Sequence, residues 1–278
     1  MMPPGAESFP LIARESTLAG SIVHVGRREV GGAYLAVIAG PCSVESEEQI
    51  LATARAVRKA GAGFLRGGAF KPRTSPYTFQ GLKEEGLRLL SLARKETGLS
   101  IVTEVLDPRH LELVAEHADL LQIGSRNMQN FTLLDEVGGC ARPVLLKRGM
   151  SATLEELMFA AERVAARGND RIILCERGIR TFEPAMRNTL DLGAVPWLKR
   201  YSRLPVIVDP SHGTGHWWMV PPLARAAVAA GCDGLMVEVH VDPAGAACDG
   251  FETLTPERFE LMMHEVRSVA VAVGRQVA

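Results

Sequence analysis

Eight short apolar runs, spaced along the chain by amphipathic stretches, constrain what these 278 residues can fold into more than any other feature. They begin at Leu35 (LAVIAG), Gly63 (GFLRGG), Ser100 (SIVTEV), Asp119 (DLLQIG), Pro143 (PVLLKRG), Arg171 (RIILCERG), Pro205 (PVIVDPSHG) and Asp233 (DGLMVEV). Runs that stay apolar instead of alternating belong to strands covered on both faces. The stretches between them, such as EEQILATARAVRKAG, TLEELMFAAERVAARG, MVPPLARAAVAAG and TPERFELMMHEVRSVAVAVG, carry the 3.6-residue period of helices, several closed by glycine. Strand–helix alternation predicts a parallel α/β sheet, and eight units close into a (β/α)8 TIM barrel. An open doubly wound sheet competes, but it usually has fewer strands, and no GxGxxG follows the first run.

A barrel of about 250 residues folds as one unit. Residues 1–34, with SIVHVG and GGAYLAV around Arg27-Arg28, are expected to form a short hairpin extension that can plug the barrel floor, and 35–278 the catalytic barrel. No Pro/Gly/Ser-rich linker divides the chain. Thirty-one basic against 32 acidic residues leave a net charge of -1, which excludes a global pull toward nucleic acid or anionic membranes. Five scattered cysteines without a CxxC pair argue against disulfides or a zinc ribbon, and no apolar run is long enough to cross a bilayer. A cytoplasmic, soluble protein is expected.

In such barrels chemistry sits at the C-terminal ends of the strands. Polar residues accumulate there: Cys42, Arg66 with Lys71 and Arg73, Glu104, Gln122 with Arg126, Lys147-Arg148, Glu176-Arg177, Asp209 with His212, and Glu238. All are expected at one mouth. Six of them, Arg66, Lys71, Arg73, Arg126, Lys147 and Arg177, are cations on a chain with almost no net charge. Cations gathered from several strands repel unless anions join them, and guanidinium groups match phosphate and carboxylate. A solvated basic rim is the ordinary reading of any one of them; six together point to more than one anionic group.

Cys42, His212, Glu238 and Asp249 offer sulfur, nitrogen and two carboxylates from strands one, seven and eight and the following loop, and closure makes strands eight and one neighbours. That mixture suits manganese, iron, cobalt or zinc rather than magnesium or calcium. Asp209, Ser211 and His212 contain triad residue types but are crowded within four positions and lack a GxSxG elbow. His216, Trp217 and Trp218 read as packing, and His240 as structural or as support for a ligand. Cys140, Cys175, Cys232 and Cys248 read as buried small apolar residues, with a Cys42–Cys248 pairing conceivable when metal is absent.

The segments IAGPCSVES, FLRGGAFKPRTSPYTFQG, QIGSRNMQN, PVLLKRG, LCERGIRTFE, VDPSHGTG and MVEVH, followed by CDG, resemble the 3-deoxy-D-arabino-heptulosonate 7-phosphate (DAHP) synthases. The similarity is to the short type I subgroup close to 3-deoxy-octulosonate 8-phosphate synthases and runs from about residue 30 to the last helix. It implies condensation of phosphoenolpyruvate with erythrose 4-phosphate and water, giving DAHP and phosphate at the entry to aromatic amino-acid biosynthesis.

By position, the resemblance makes Cys42, His212, Glu238 and Asp249 ligands of a divalent metal. It assigns Arg66, Lys71, Arg126, Lys147 and Arg177 to phosphoenolpyruvate, and Arg73, Thr74, Ser75 and Asp209 to erythrose 4-phosphate. Lys71, Asp209 and His212 are the expected catalytic residues, and a homo-oligomer, dimer or tetramer, is implied. The sister activity on arabinose 5-phosphate usually goes with KANRSS, where this chain reads KPRTSP. A non-catalytic barrel that binds phosphorylated metabolites should lack a ligand or substrate lysine, and none is missing. Many relatives carry an additional N-terminal regulatory domain or a fused chorismate mutase, for which this chain has no room, so weak or absent feedback by aromatic amino acids is expected.

Overall fold

Local signals set the helix ends. Ser46 Oγ accepts from the Gln49 amide at 3.1 Å and starts α1 (Glu47–Ala60), with Glu47 and Glu48 in its first turn and Arg58 and Lys59 in its last. Gly61, at φ 103°, ends it in the left-handed region that glycine adopts without strain. Thr153 and Glu156 form a reciprocal capping box on α5 (Leu154–Ala166), and Thr255 with Pro256 starts α9 (Pro256–Ala272). The other helices are α2 (Glu84–Thr97), α3 (Leu111–His117), α4 (Phe131–Gly139), α6 (Ala194–Tyr201), the short α7 (Pro210–Thr214) and α8 (Val220–Ala229).

The structure is a computed structural model that describes residues 8–14, 20–73 and 75–277. A hairpin of β1 (Val23–Val25) and β2 (Arg28–Val30) precedes eight parallel strands. These are β3 (Tyr34–Gly40), β4 (Phe64–Arg66), β5 (Ser100–Glu104), β6 (Leu120–Ile123), β7 (Val144–Lys147), β8 (Ile172–Glu176), β9 (Val206–Val208) and β10 (Gly234–Glu238). Each falls within its apolar run, except that β3 starts one residue earlier. Every strand pairs with the next, and β10 returns to β3 from Gly234↔Ala36 to Glu238↔Gly40, which closes the (β/α)8 barrel. A two-residue strand, β11 (Gln276–Val277), which the apolar pattern does not announce, pairs in parallel with Tyr34 and Leu35.

Period-two alternation on the strands divides the apolar residues into two cores. Leu35, Val37 and Ala39 of β3 face the helices, whereas Ala36 and Ile38 face inward. The inner cluster continues through Phe64, Val102, Leu120, Leu145, Ile173, Cys175, Ile207 and Met236. Val23, Val25 and Val30 of the hairpin join it, so the hairpin closes the floor by burying three valines at about 1.5–3 kcal/mol each. Of the predicted extension, residues 1–7 and 15–19 lie outside the described residues.

Candidate active site

One rule of geometry builds the site. Advancing two residues from an inner-core side chain keeps the same side of the sheet. From Phe64 this step reaches Arg66; from Val102, Glu104; from Leu120, Gln122; from Leu145, Lys147; from Cys175, Arg177; from Ile207, Asp209; and from Met236, Glu238. The floor of the barrel is apolar and its upper interior is ionic, on the same strands. Two glycines make room: Gly40, at φ 150°, passes so close to β4 that a Cβ would lie 2.2 Å from the Arg66 carbonyl. At Gly124 a Cβ would lie 1.9 Å from Glu104 Oε1.

The same alternation corrects one expectation. Arg148 and Glu176, adjacent in sequence to inward residues, point away from the mouth. Arg148 Nη1 donates to Glu176 Oε2 and Asp191 Oδ2, both at 2.9 Å, and its Nε to the Ala152 carbonyl at 3.0 Å. Glu176 Oε1 accepts from the Gly178 amide at 2.6 Å, so this pair holds the start of the loop that carries Arg177.

Above the floor lies a cavity of about 400 Å³ lined by Arg66, Lys71, Arg73, Arg126, Lys147 and Arg177, with Arg187 added from the loop after β8. Ser75, Glu104, His212 and Asp249 complete its charged and polar wall with Gln122 and Ser125. Thr74 lies outside the described residues. Arg66 pairs with Glu238, and Lys147 with Asp209, in two fully buried ion pairs. These pairs leave part of the charge unmet. The Nε atoms of Arg66 and Arg177 are buried without a hydrogen-bond partner among the described residues. Burial pulls the Arg177 pKa below the usual arginine value, and its Nη1 donates to the Gly178 carbonyl at 3.4 Å. Burial raises the pKa of Glu104, although Lys71, Lys147, Arg66 and Arg126 oppose the shift.

Beside the cavity, His212, Glu238, Asp249 and Glu252 bring one ligand atom each to within 4.8 Å of one another. His212 Nδ1 lies 2.7 Å from Asp209 Oδ2 and its Nε2 is 3.3 Å from Glu238 Oε1. Burial opposes ionisation of Asp209, but His212 and Lys147 outweigh it and hold the carboxyl well below the usual range. Asp209 therefore accepts the Nδ1 proton, and the Nε2 lone pair faces the cluster. Burial also lowers the His212 pKa, which keeps the ring neutral.

Cys42 Sγ lies 3.0 Å from Asp249 Oδ2 and 2.9 Å from Lys71 Nζ. Burial disfavours the charge on Lys71, but the Cys42 and Cys248 sulfurs raise its pKa above the normal lysine value. Of the four expected ligands, His212, Glu238 and Asp249 share the cluster with Glu252, whereas the Cys42 sulfur stands at its edge against Asp249. An imidazole and carboxylates with a neighbouring sulfur fit a first-row divalent cation. Asp249 itself adopts φ 54°, a strained conformation for a non-glycine residue, as it turns into the cluster.

Two residues of this region escape a reading by strand ends. Glu252 follows Asp249 by three positions on the 3-10 turn Gly250–Glu252, and an acid in CDGFE was the available signal. Arg187 lies mid-loop with no periodic cue. The remaining candidates have ordinary roles: His216 stacks on Trp218, and Arg258 lies 3.6 Å over the Trp217 ring. His240 Nδ1 accepts from the Asp242 amide at 2.9 Å, while its buried Nε2 faces Glu45 Oε2 at 3.5 Å. Cys175, Cys232 and Cys248 are buried, whereas Cys140 is partly exposed just past α4. No helix among the described residues is long and apolar enough to cross a membrane.

Comparison with known proteins agrees with this arrangement. The sequence model of the DAHP synthetase I family matches residues 22–272. A phospho-2-dehydro-3-deoxyheptonate aldolase of Thermotoga maritima is 49% identical over 269 residues, covering 97% of this chain and 80% of that protein. A 2-dehydro-3-deoxyphosphooctonate aldolase of Syntrophotalea carbinolica is 34% identical over 262 residues, covering 87% and 93%. The crystal structure of the Thermotoga maritima DAHP synthase superposes with a TM-score of 0.94 at 48% identity, over 96% of this chain and 78% of that one. Its truncated form gives a TM-score of 0.91 at 45% identity, over 98% and 100%. With the barrel, the cation-lined mouth and a family match spanning nearly the whole chain, this protein belongs to the DAHP synthetase I family.

Proposed function

We propose that this protein joins phosphoenolpyruvate to erythrose 4-phosphate, with water, to give DAHP and inorganic phosphate. The observation that carries the reading is the cavity wall: seven cationic side chains against the carboxylates Glu104 and Asp249, with guanidinium Nε atoms of Arg66 and Arg177 left without partners among the described residues. A buried cationic donor without an acceptor costs stability unless a ligand supplies one. Two phosphorylated substrates, one also a carboxylate, supply enough anionic oxygen to satisfy such a wall.

Arg66, Lys71, Arg126, Lys147 and Arg177 hold the phosphate and carboxylate of phosphoenolpyruvate. Arg73, Thr74 and Ser75 take the phosphate of the aldose, and Asp209 stands near its hydroxyls. Bringing two mutually repelling anions into attack geometry is a large part of the catalysis. Cys42, His212, Glu238 and Asp249 would hold a divalent cation, whose chemistry there would be Lewis-acid polarisation of the aldehyde.

Carbon 3 of phosphoenolpyruvate forms the new bond to the aldehyde carbon, and the aldehyde oxygen takes a proton. Lys71 is the donor suited to that transfer: it reaches into the cavity and is protonated at neutral pH. Water then adds its oxygen to carbon 2, and phosphate departs by cleavage of the C–O bond. Asp209, locked between Lys147 and His212, keeps the imidazole in the tautomer that leaves Nε2 free.

The test is turnover by chelator-stripped protein, followed by loss of phosphoenolpyruvate absorbance, with erythrose 4-phosphate or arabinose 5-phosphate and with or without manganese. Metal-dependent turnover with the four-carbon sugar alone is expected. Turnover with arabinose 5-phosphate transfers the assignment to the sister reaction, and silence with both across several metals refutes catalysis.

A further inference from the structure

Glu252 belongs to the cluster that surrounds the ligand point, yet it is engaged elsewhere. Glu252 is 3% exposed, and among the described residues the hydrogen bond to its carboxylate comes from Arg187 Nη1. The same Nη1 stands 3.6 Å from Asp249 Oδ1. Arg187 is held at its other end as well: its amide donates to the Thr214 carbonyl at 3.0 Å, at the end of α7, which carries His212. Its side chain backs onto Gly215, at φ 77°, where a Cβ would lie 2.6 Å from the Arg187 Cβ. One arginine thus ties the loop after β8, the His212 helix and the turn bearing Asp249 and Glu252.

We propose that Arg187 is a positioning residue for the metal site: by engaging Glu252 it withholds a fourth hard or borderline donor and so reserves a coordination position for the Cys42 sulfur. The inference rests on the reading that a divalent cation is held by Cys42, His212, Glu238 and Asp249. His212, Glu238, Asp249 and Glu252 would by themselves fill a four-coordinate site with nitrogen and oxygen. A buried carboxylate stripped of its counter-ion is strongly destabilised, and the nearest compensation is a cation a few ångströms away. Removing Arg187 therefore turns Glu252 into a ligand. The site then shifts from a mixed sulfur set toward a harder oxygen set, which changes the metal it prefers.

Cobalt(II) reads the difference, because a thiolate ligand gives a near-ultraviolet sulfur-to-cobalt charge-transfer band that carboxylates lack. Wild type and Glu252→Gln are expected to show the full band, with cobalt affinities within about threefold of each other. In Arg187→Met, or in Arg187→Gln if the first variant does not fold, the band falls to about half or less and the manganese-over-zinc preference rises about tenfold, the usual scale for residues that orient ligands. The double variant Arg187→Met/Glu252→Gln regains the band. A full band in either Arg187 variant overturns the proposal, as does loss of the band in Glu252→Gln. Absence of the band from the wild type sinks the Cys42-containing site itself, and this inference with it, so the two failures are distinct.

Discussion

Two buried arginines, one on either side of the barrel wall, should respond oppositely to the same substitution. Arg177 faces the cavity and is 3% exposed; among the described residues its Nε has no partner and its Nη1 donates to the Gly178 carbonyl at 3.4 Å. Arg148, 4% exposed on the other side of the sheet, donates to Glu176, Asp191 and the Ala152 carbonyl at 2.9–3.0 Å. Arg177→Met removes a charge that the free protein pays to desolvate and hardly compensates, so the ligand-free fold should hold its melting temperature or gain about 1 kcal/mol. With substrate the balance reverses: deleting one partner of a desolvated, charge-assisted pair costs about 2–5 kcal/mol, or about 30- to 4000-fold in kcat/KM for phosphoenolpyruvate.

Arg148→Met strips Glu176 of a buried counter-ion and should destabilise by about 3–5 kcal/mol, lowering the melting temperature by roughly 10 °C for a chain of this size. Thermal unfolding of ligand-free protein and initial rates at varied phosphoenolpyruvate measure both effects. A less stable Arg177→Met with unchanged kcat/KM would refute the reasoning, since it would make Arg177 a structural ion rather than an anion receptor.

Three further outcomes are expected. Arg73→Ala should raise KM for erythrose 4-phosphate at least about tenfold and leave KM for phosphoenolpyruvate nearly unchanged, the loss of one charged hydrogen bond to one substrate; equal increases for both would merge the two anion subsites. Glu45 Oε1 accepts from Ser43 Oγ and from the Ala247 amide, both at 3.0 Å, and so tethers the loop that leads to Asp249; Glu45→Ala should weaken metal binding about tenfold in competition with a chromophoric chelator, and unaltered affinity would dismiss the tether. Burial raises the thiol of Cys232 to about 12 and that of Cys175 further. Both stay protonated in the fold while the unfolded chain ionises above about pH 8.5, so stability is complete below that pH and falls as pH rises, by about 1.4 kcal/mol per unit and per thiol. Urea unfolding from pH 8 to 10 reads the slope, which Cys175→Ala/Cys232→Ala should flatten.

Most of the framework was legible because it is written in local chemistry. The eight apolar runs specify strands, and residues such as Ser46, Thr153 and Thr255 specify where helices begin. The cationic residues at strand ends were visible for the same reason, since barrel topology alone says which end of a strand carries function. β11 was not legible: two residues carry too little pattern, and only the start of β3 at Tyr34 and Leu35, before its pairing with β10 begins, gives them a partner.

By itself, then, the sequence determined a closed parallel barrel, an ionic mouth and the residue types gathered there. Which face each side chain takes was decided by tertiary structure, because one residue of register reverses the direction of every side chain. That is why Lys147 enters the cavity while Arg148 turns away to Glu176. Closure likewise decided that Glu252 comes within reach of His212 and Glu238, and that an arginine 65 residues earlier stands ready to hold it. Pairings over such separations follow from where loops converge in space, and no short window of sequence contains that information.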